Sequence, residues 1–181
     1  MPDDRNTWLR HSFLLALATG AFHLLQFSSG TALWRISGSP VLLAFGLDAA
    51  VSAAGSFLLA SRMHHESIHG RHFLIGWGYI AASIVAGYTG AAGLWKGVTP
   101  SRSVLGLALA AVSMLVIPII GSYMKVLGVE LRSQALKSAA IFTFGNSYLS
   151  MVLLIALLLH AGMNYRWGDA LGALVMFPFI K

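Results

Sequence analysis

Long runs of apolar residues, separated by short polar breaks, constrain this chain more than any other feature. Between positions 104 and 126 it reads VLGLALAAVSMLVIPIIGSYMKV, with Lys125 as the only charged residue. A helix needs roughly 20 apolar residues to cross the hydrocarbon core of a bilayer. Of the 181 residues, 57% are hydrophobic and 10% are charged, which is more apolar surface than a soluble domain of this size can bury. The sequence therefore predicts an all-α integral membrane protein.

The apolar runs predict six transmembrane helices in a single domain, residues 1–181. The predicted spans are 13–33, 40–60, 73–94, 104–126, 139–160 and 169–180. The first five are long enough to cross a membrane, whereas the sixth has only about a dozen residues and needs help from its flanks. Every break contains a charge, a Gly or a Pro, as connecting loops do. We therefore predict a six-helix membrane bundle with no second domain.

The basic residues predict the orientation of the bundle. With six spans, one side holds both termini and the second and fourth loops, and its basic residues are Arg5, Arg10, Arg62, Arg71, Lys125, Arg132, Lys137 and Lys181. The basic residues of the other side are Arg35, Lys96, Arg102 and Arg166. Because cytoplasmic loops are enriched in Lys and Arg, both termini are predicted to be cytoplasmic. The charges favour contact with anionic lipid, and no basic surface outside the spans indicates nucleic-acid binding.

The acidic residues and the lack of cysteine limit the possible chemistry. Without cysteine, the protein offers no thiolate metal site, iron–sulfur cluster or disulfide. Asp48 lies inside the second span, where a charge costs about 2.5–3.5 kcal/mol, so it is expected to face a water-filled crevice or another helix. Ser52 and Ser56 follow at i+4 and i+8, either as helix-packing residues or as weak oxygen ligands beside Asp48. Asp169 opens the last span and is expected to cap that helix.

Histidines are concentrated in the loop RMHHESIHGRH, which holds His64, His65, His69 and His72. The pairs His65–His69 and His69–His72 have the spacing of one helix face and could bind Zn²⁺ or another divalent metal ion. The alternative is a solvated, weakly basic cytoplasmic loop. His23 and His160 lie within or at the ends of spans, where a histidine is expected to hydrogen-bond between helices. They are also the only intramembrane imidazoles that could bind a haem or a chlorophyll-type pigment.

This layout resembles the cation diffusion facilitator family of divalent-metal/proton exchangers over nearly the whole chain. The resemblance rests on SGSPVLLAFGLDAA in the second span, HESIHGRHF in the following loop, SQALKSAAIFTFGN in the fifth span and YRWGDALGALV in the sixth. The chain is most similar to the family's short branch, which has no cytoplasmic C-terminal domain. The resemblance implies a homodimer with a tetrahedral metal site at mid-membrane and a second, loop-borne site at His65 and His69.

In that family the second helix supplies two metal ligands four residues apart, and the fifth helix supplies two more. Projected onto this chain, those positions are Asp48, Ser52, Phe142 and Asn146. Only the Asp is a strong ligand, because a hydroxyl and an amide bind zinc poorly and a phenylalanine has no lone pair. At three further positions this chain lacks the residue that the family has: Phe73 and Ala139 replace acidic residues, and Ala170 replaces a proline. The resemblance therefore implies a metal site that has largely degenerated.

These observations leave three functions open, none of them enzymatic. The favoured one is a pseudo-transporter, retained as an accessory subunit that contacts the bilayer and other membrane protein subunits or a second copy. The second is a divalent-metal/proton antiporter with a site rebuilt around Asp48. The third is a pigment- or haem-binding membrane subunit that uses His23 or His160. An aqueous crevice reaching Asp48 would favour transport, whereas an Asp48 sealed by neighbouring helices would favour the accessory role.

Overall fold

The computed structural model describes residues 2–64, 72–97, 99–163, 165 and 167–180, with side chains for all of these except 2–4, 63–64 and 72–74. This part of the chain is all-helical and contains no strand. The helices are α1 (Pro2–Ser37), α2 (Pro40–His64), α3 (His72–Lys96), α4 (Val104–Glu130), α5 (Gln134–Met163) and α6 (Gly168–Met176). A short 3-10 helix, Phe177–Phe179, continues α6. The predicted all-α class and the six predicted helices are confirmed.

Four of these helices, α1, α2, α4 and α5, are long and apolar enough to cross a membrane. The prediction of a membrane protein is confirmed to that extent. Helix α3 has 25 residues, as α2 has, but it is not among the four found in the described residues. Helix α6 has 9 residues. Membrane crossing by α3 and α6 and the cytoplasmic position of the termini stay predictions.

Helices α1 to α5 extend beyond the apolar runs that predicted them, whereas α6 ends at Met176, before the predicted position 180, and continues as the 3-10 helix. Helix α1 begins at Pro2 rather than at position 13, α5 begins at Gln134 rather than at 139, and α4 ends at Glu130 rather than at 126. Hydropathy marks only the part of a helix that suits lipid, whereas the backbone ladder continues until a cap ends it. After α1 that cap is Gly38, which has a φ of 71° and donates its N–H to the Trp34 carbonyl oxygen at 2.7 Å.

Helix α2 is at the centre of the bundle and packs against α1, α3, α5 and α6. Helix α4 packs against α1 and α5, so α1, α2, α5 and α4 form a closed group of four. The backbones of α1 and α2 approach closely, since a Cβ on Gly30 would lie 3.1 Å from the Cα of Gly46. The apolar core has two clusters, the larger mainly where α2, α3, α5 and α6 meet and the smaller where α1, α2, α4 and α5 meet.

Helix α6 fills the gap between α3 and α5 in one half of the bundle only. A Cβ on Gly90 of α3 would lie 3.0 Å from a side-chain carbon of α6, and one on Gly172 of α6 would lie 2.5 Å from the Cβ of Ala156 in α5. The 3-10 helix reaches the level of Tyr148, whose ring centroid lies 4.6 Å from that of Phe179. Helices α3 and α5 make little or no contact with each other. Beyond the level of Phe179, in the half of the bundle that holds the carboxyl end of α2, no described helix lies between α3 and α5.

The sequence predicted that Asp169 caps its own helix, α6, and this prediction is wrong. Asp169 instead caps α2. Its Oδ2 accepts a hydrogen bond from the Ser39 hydroxyl at 2.6 Å, and its Oδ1 accepts one from the Val41 N–H at 3.1 Å. Ser39 in turn accepts from the Leu42 N–H at 3.3 Å, while α6 has no side-chain cap. The reason is burial: the first N–H groups of α2 are shielded from water, and a buried donor without a partner is costly.

Asp169→Ala is expected to destabilise the bundle, because the Ser39 hydroxyl and the Val41 N–H lose their acceptor in a buried position. The free energy of unfolding, measured in mixed micelles with increasing SDS, should fall by about 1–3 kcal/mol. Glu130→Ala removes an exposed carboxylate from the end of α4 and is the matched control. It should change the same quantity by less than about 0.5 kcal/mol. Equal stability of both variants would contradict the tie between α6 and α2.

Candidate functional site

Two of the four projected metal-ligand positions are in direct contact. The Nδ2 of Asn146 in α5 donates a hydrogen bond to the Oγ of Ser52 in α2 at 2.8 Å. Tyr79 of α3 joins the same hydroxyl, with 3.1 Å between its phenolic oxygen and the Ser52 Oγ. All three side chains are buried. One hydroxyl group therefore links α2, α3 and α5, which is a use of polar side chains typical of helix packing in membranes.

The third projected position, Asp48, lies one turn before Ser52 and deeper in the bundle. Its side chain is 3% exposed and is close enough to Tyr79 to interact with it electrostatically. The fourth position, Phe142, lies one turn before Asn146 on α5 and is 48% exposed. It has no donor atom for a metal. Within the described residues, no three His, Cys, Asp or Glu side chains come together as a candidate metal site.

A cleft of about 610 Å³ opens between α2, α3 and α5, toward the carboxyl end of α2. Its floor includes the linked side chains of Ser52, Tyr79 and Asn146, and Arg62 of α2 lies nearer its mouth. Apolar side chains, Phe142 among them, form most of its walls. The cleft occupies the half of the gap between α3 and α5 that α6 leaves unfilled. It reaches Ser52, but Asp48 is not among the residues that line it.

His23 of α1 also lines the cleft, and a chain of hydrogen bonds fixes its ring. Its Nδ1 lies 2.7 Å from the Gln26 Oε1, and the Gln26 Nε2 donates to the Ser113 Oγ of α4 at 2.8 Å. Because a carbonyl oxygen only accepts, the Nδ1 carries a proton, and in the neutral ring the Nε2 then keeps its lone pair. The predicted bond between helices is therefore made by Gln26, while His23 itself bonds within α1.

His160 is held in a different way at the opposite end of α5. Its Nε2 donates to the Pro100 carbonyl oxygen at 2.8 Å. Its Nδ1 is buried and has no partner among the described residues. Of the two imidazoles proposed for a haem or pigment, only His23 lines the cleft.

The four loop histidines are not placed at any site. His65 and His69 lie outside the described residues, and the side chains of His64 and His72 are not described. Zinc binding by this loop stays a prediction.

Sequence reasoning missed three polar residues that build the site, namely Gln26, Tyr79 and Ser113. Each is a hydrogen-bonding side chain inside an apolar run. In a membrane span such a side chain needs a partner on the same or a neighbouring helix. A polar residue inside an apolar run is therefore the sequence signal that could have identified these three. The signal identifies the residue but not its partner.

Comparison with known proteins adds no family assignment. No protein-family model matches the chain, and no curated protein is significantly similar to it in sequence. The resemblance to cation diffusion facilitators therefore rests on the quoted motifs and stays a prediction.

The hydrogen bond between Ser52 and Asn146 can be tested by a double-mutant cycle. Ser52→Ala and Asn146→Ala should show a coupling free energy of about 0.6–1.5 kcal/mol for unfolding in SDS mixed micelles. Ser56→Ala with Asn146→Ala is the control, because the Ser56 hydroxyl bonds the Ser52 carbonyl oxygen of its own helix at 2.9 Å. That pair should be additive within about 0.5 kcal/mol. A coupling no larger than that of the control would refute the link.

Proposed function

We propose that this protein is a membrane helix bundle of the cation diffusion facilitator type that no longer transports metal and serves as an accessory subunit of a larger membrane protein complex. The observation that carries the proposal is the hydrogen bond from Asn146 to Ser52. Two side chains that would have to bind a metal in such a transporter are instead bonded to each other and hold helices together.

The chemistry of the remaining positions supports the same conclusion. A dehydrated divalent ion needs anionic ligands, and of the four positions only Asp48 supplies a carboxylate. An ion entering from the cleft would first have to break the bonds that join Ser52, Tyr79 and Asn146. It would then meet a hydroxyl and an amide, which are poor zinc ligands. Proton coupling also requires titrating ligands, and Asp48 is the only strong one.

The accessory role requires a lateral surface for a partner, and α4 offers one. Its outward face carries large apolar side chains, each 59–70% exposed: Leu105, Leu115, Ile119 and Tyr123. In a bilayer such a face contacts either lipid or another helix. The family resemblance implies pairing of such bundles, so we propose that the partner is another membrane protein subunit or a second copy of this chain.

A divalent-metal/proton antiporter is the second candidate, because the cleft reaches Ser52 and Asn146. These are two of the four projected positions, and they are accessible from the end of the bundle that the basic residues predict to be cytoplasmic. Asp48, one turn deeper, would then be the proton-coupled ligand.

Flux measurements separate the two candidates. Purified protein in proteoliposomes should give no saturable flux of Zn²⁺, Mn²⁺, Fe²⁺ or Co²⁺ under a pH gradient, because three of the four ligand positions lack strong donors. A pH-dependent flux that Asp48→Asn abolishes would contradict the proposal and support the antiporter.

Restoring the missing ligands tests the same point by gain of function. Ser52→Asp, Phe142→His and Asn146→Asp together should create one zinc site beside Asp48, measured by calorimetry in a His65→Ala, His69→Ala background. Reverting the site with Asp48→Asn is the control and should remove the gained zinc. No gained zinc in the folded triple variant would argue that these positions do not converge as the resemblance implies.

The accessory role makes a separate prediction about assembly. Solubilised from its native membrane in mild detergent, the 19.3 kDa chain should migrate within a larger complex of defined composition. Asp48→Asn should leave that assembly unchanged, because the contact surface and not the carboxylate holds it together. A chain found entirely as a monomer in native membranes would rule the accessory role out.

A further inference from the structure

We propose that the cleft between α2, α3 and α5 binds an uncharged, membrane-soluble molecule that has a hydrogen-bond-donating head and an apolar body. This site is independent of the accessory role, and it uses two side-chain atoms that have no hydrogen-bond partner among the described residues.

The position of the cleft sets the route by which a ligand enters. It lies in the gap between α3 and α5, which α6 fills only in the other half of the bundle. Phe142 of α5 and Gly76 of α3 line it from opposite sides, and both are exposed. A Cβ at Gly76 would meet no atom within 4 Å. The cleft is therefore open on the side of the bundle, where a spanning protein is surrounded by lipid, as well as toward the carboxyl end of α2.

Two buried acceptors at the inner end of the cleft select the head of the ligand. His23 is 2% exposed and Asn146 is 6% exposed, and both line the cleft. The Nε2 of His23 and the Oδ1 of Asn146 accept no hydrogen bond from any described residue. Neither is among the described polar atoms that lack a partner and are also fully enclosed by protein, so both are open to the cleft. Their other polar atoms are engaged by Gln26 and Ser52, which fixes their orientation. Two preoriented acceptors call for a ligand that donates hydrogen bonds.

The charges around the cleft exclude other ligand classes. No carboxylate of the described residues lines it, so these residues offer no counter-ion for a cation, and the one formal positive charge in their lining, on Arg62, lies away from the floor. A metal tetrapyrrole would bind the Nε2 of His23 but has no outward-facing N–H or hydroxyl to donate to the Asn146 oxygen. A neutral head with two hydroxyl or N–H groups offers one donor to each acceptor.

The walls select the body of the ligand. Leu58 and Leu59 of α2, Ile75 of α3 and Phe142 of α5 form an apolar lining, and the volume of about 610 Å³ lies within the range of roughly 300–1,000 Å³ found for small-molecule sites. Two membrane components share this chemistry. A quinol carries two hydroxyls on a ring, and a glycerolipid with free hydroxyls carries them on a glycerol head.

Binding should be measured by calorimetry on the full chain in lipid nanodiscs, with three probes. These are a short-chain quinol kept reduced under argon, the same quinol with both hydroxyls methylated, and dioctanoylglycerol. The quinol or the glycerolipid should bind, and whichever binds more tightly identifies the source. The methylated quinol should bind at least about tenfold more weakly, since it cannot donate to His23 or Asn146. His23→Phe should weaken the better probe by a similar factor.

A matched pair of glycine variants tests the location without disturbing the floor. Gly76→Leu should fill the cleft and abolish binding. Gly162→Leu is the control, because a Cβ there also meets no atom within 4 Å but Gly162 is not part of the cleft lining, and it should bind as the unsubstituted protein does. The proposal is overturned if no probe binds to folded protein, if the methylated quinol binds as tightly as the quinol, or if Gly76→Leu retains binding. Tetrapyrrole absorbance in purified protein that His23→Phe removes would also overturn it.

Discussion

The arrangement of the bundle depends on the hydroxyl group of Ser52. Lipid tails are as apolar as leucine, so membrane helices are not driven together by the hydrophobic effect and depend on close packing and polar bonds. Here the Asn146 amide and the Tyr79 phenol converge on one oxygen atom, which fixes the register of α2, α3 and α5 at that level. The same junction forms the floor of the cleft and separates it from Asp48.

The short sixth helix explains why a cleft exists at all. In one half of the bundle, α6 lies between α3 and α5 on a surface of α3 that includes Gly87 and Gly90. Gly76 lies on nearly the same face of α3, three turns before Gly87, and a Cβ there would meet no atom of the described residues within 4 Å. A single face of small residues therefore serves helix packing in one half and forms a cavity wall in the other. The cleft exists because α6 is too short to fill the whole gap between α3 and α5.

The sequence predicts local features well and long-range partners poorly. The apolar runs predict six helices because each helix satisfies its own backbone, and this depends only on neighbouring residues. The ligand spacing of the family predicts that Ser52 and Asn146 lie on facing helices. The partner of Asp169 was not predictable in this way, since Val41 lies 128 positions away and the local pattern favours a cap on α6. The cleft was not predictable either, because it follows from how far α6 extends between two helices.

The tie between Asp169 and α2 also has a consequence for how the protein is made. Ribosomes add roughly 5–20 residues per second, and Asp169 follows Val41 by 128 residues. The second helix therefore enters the membrane several seconds before the carboxylate that completes its amino end has been synthesised. During that interval the Val41 N–H and the Ser39 hydroxyl depend on interfacial water. This water is replaced only when α6 packs against α2 and the Asp169 carboxylate binds there. The last helix therefore completes the assembly of the earlier ones.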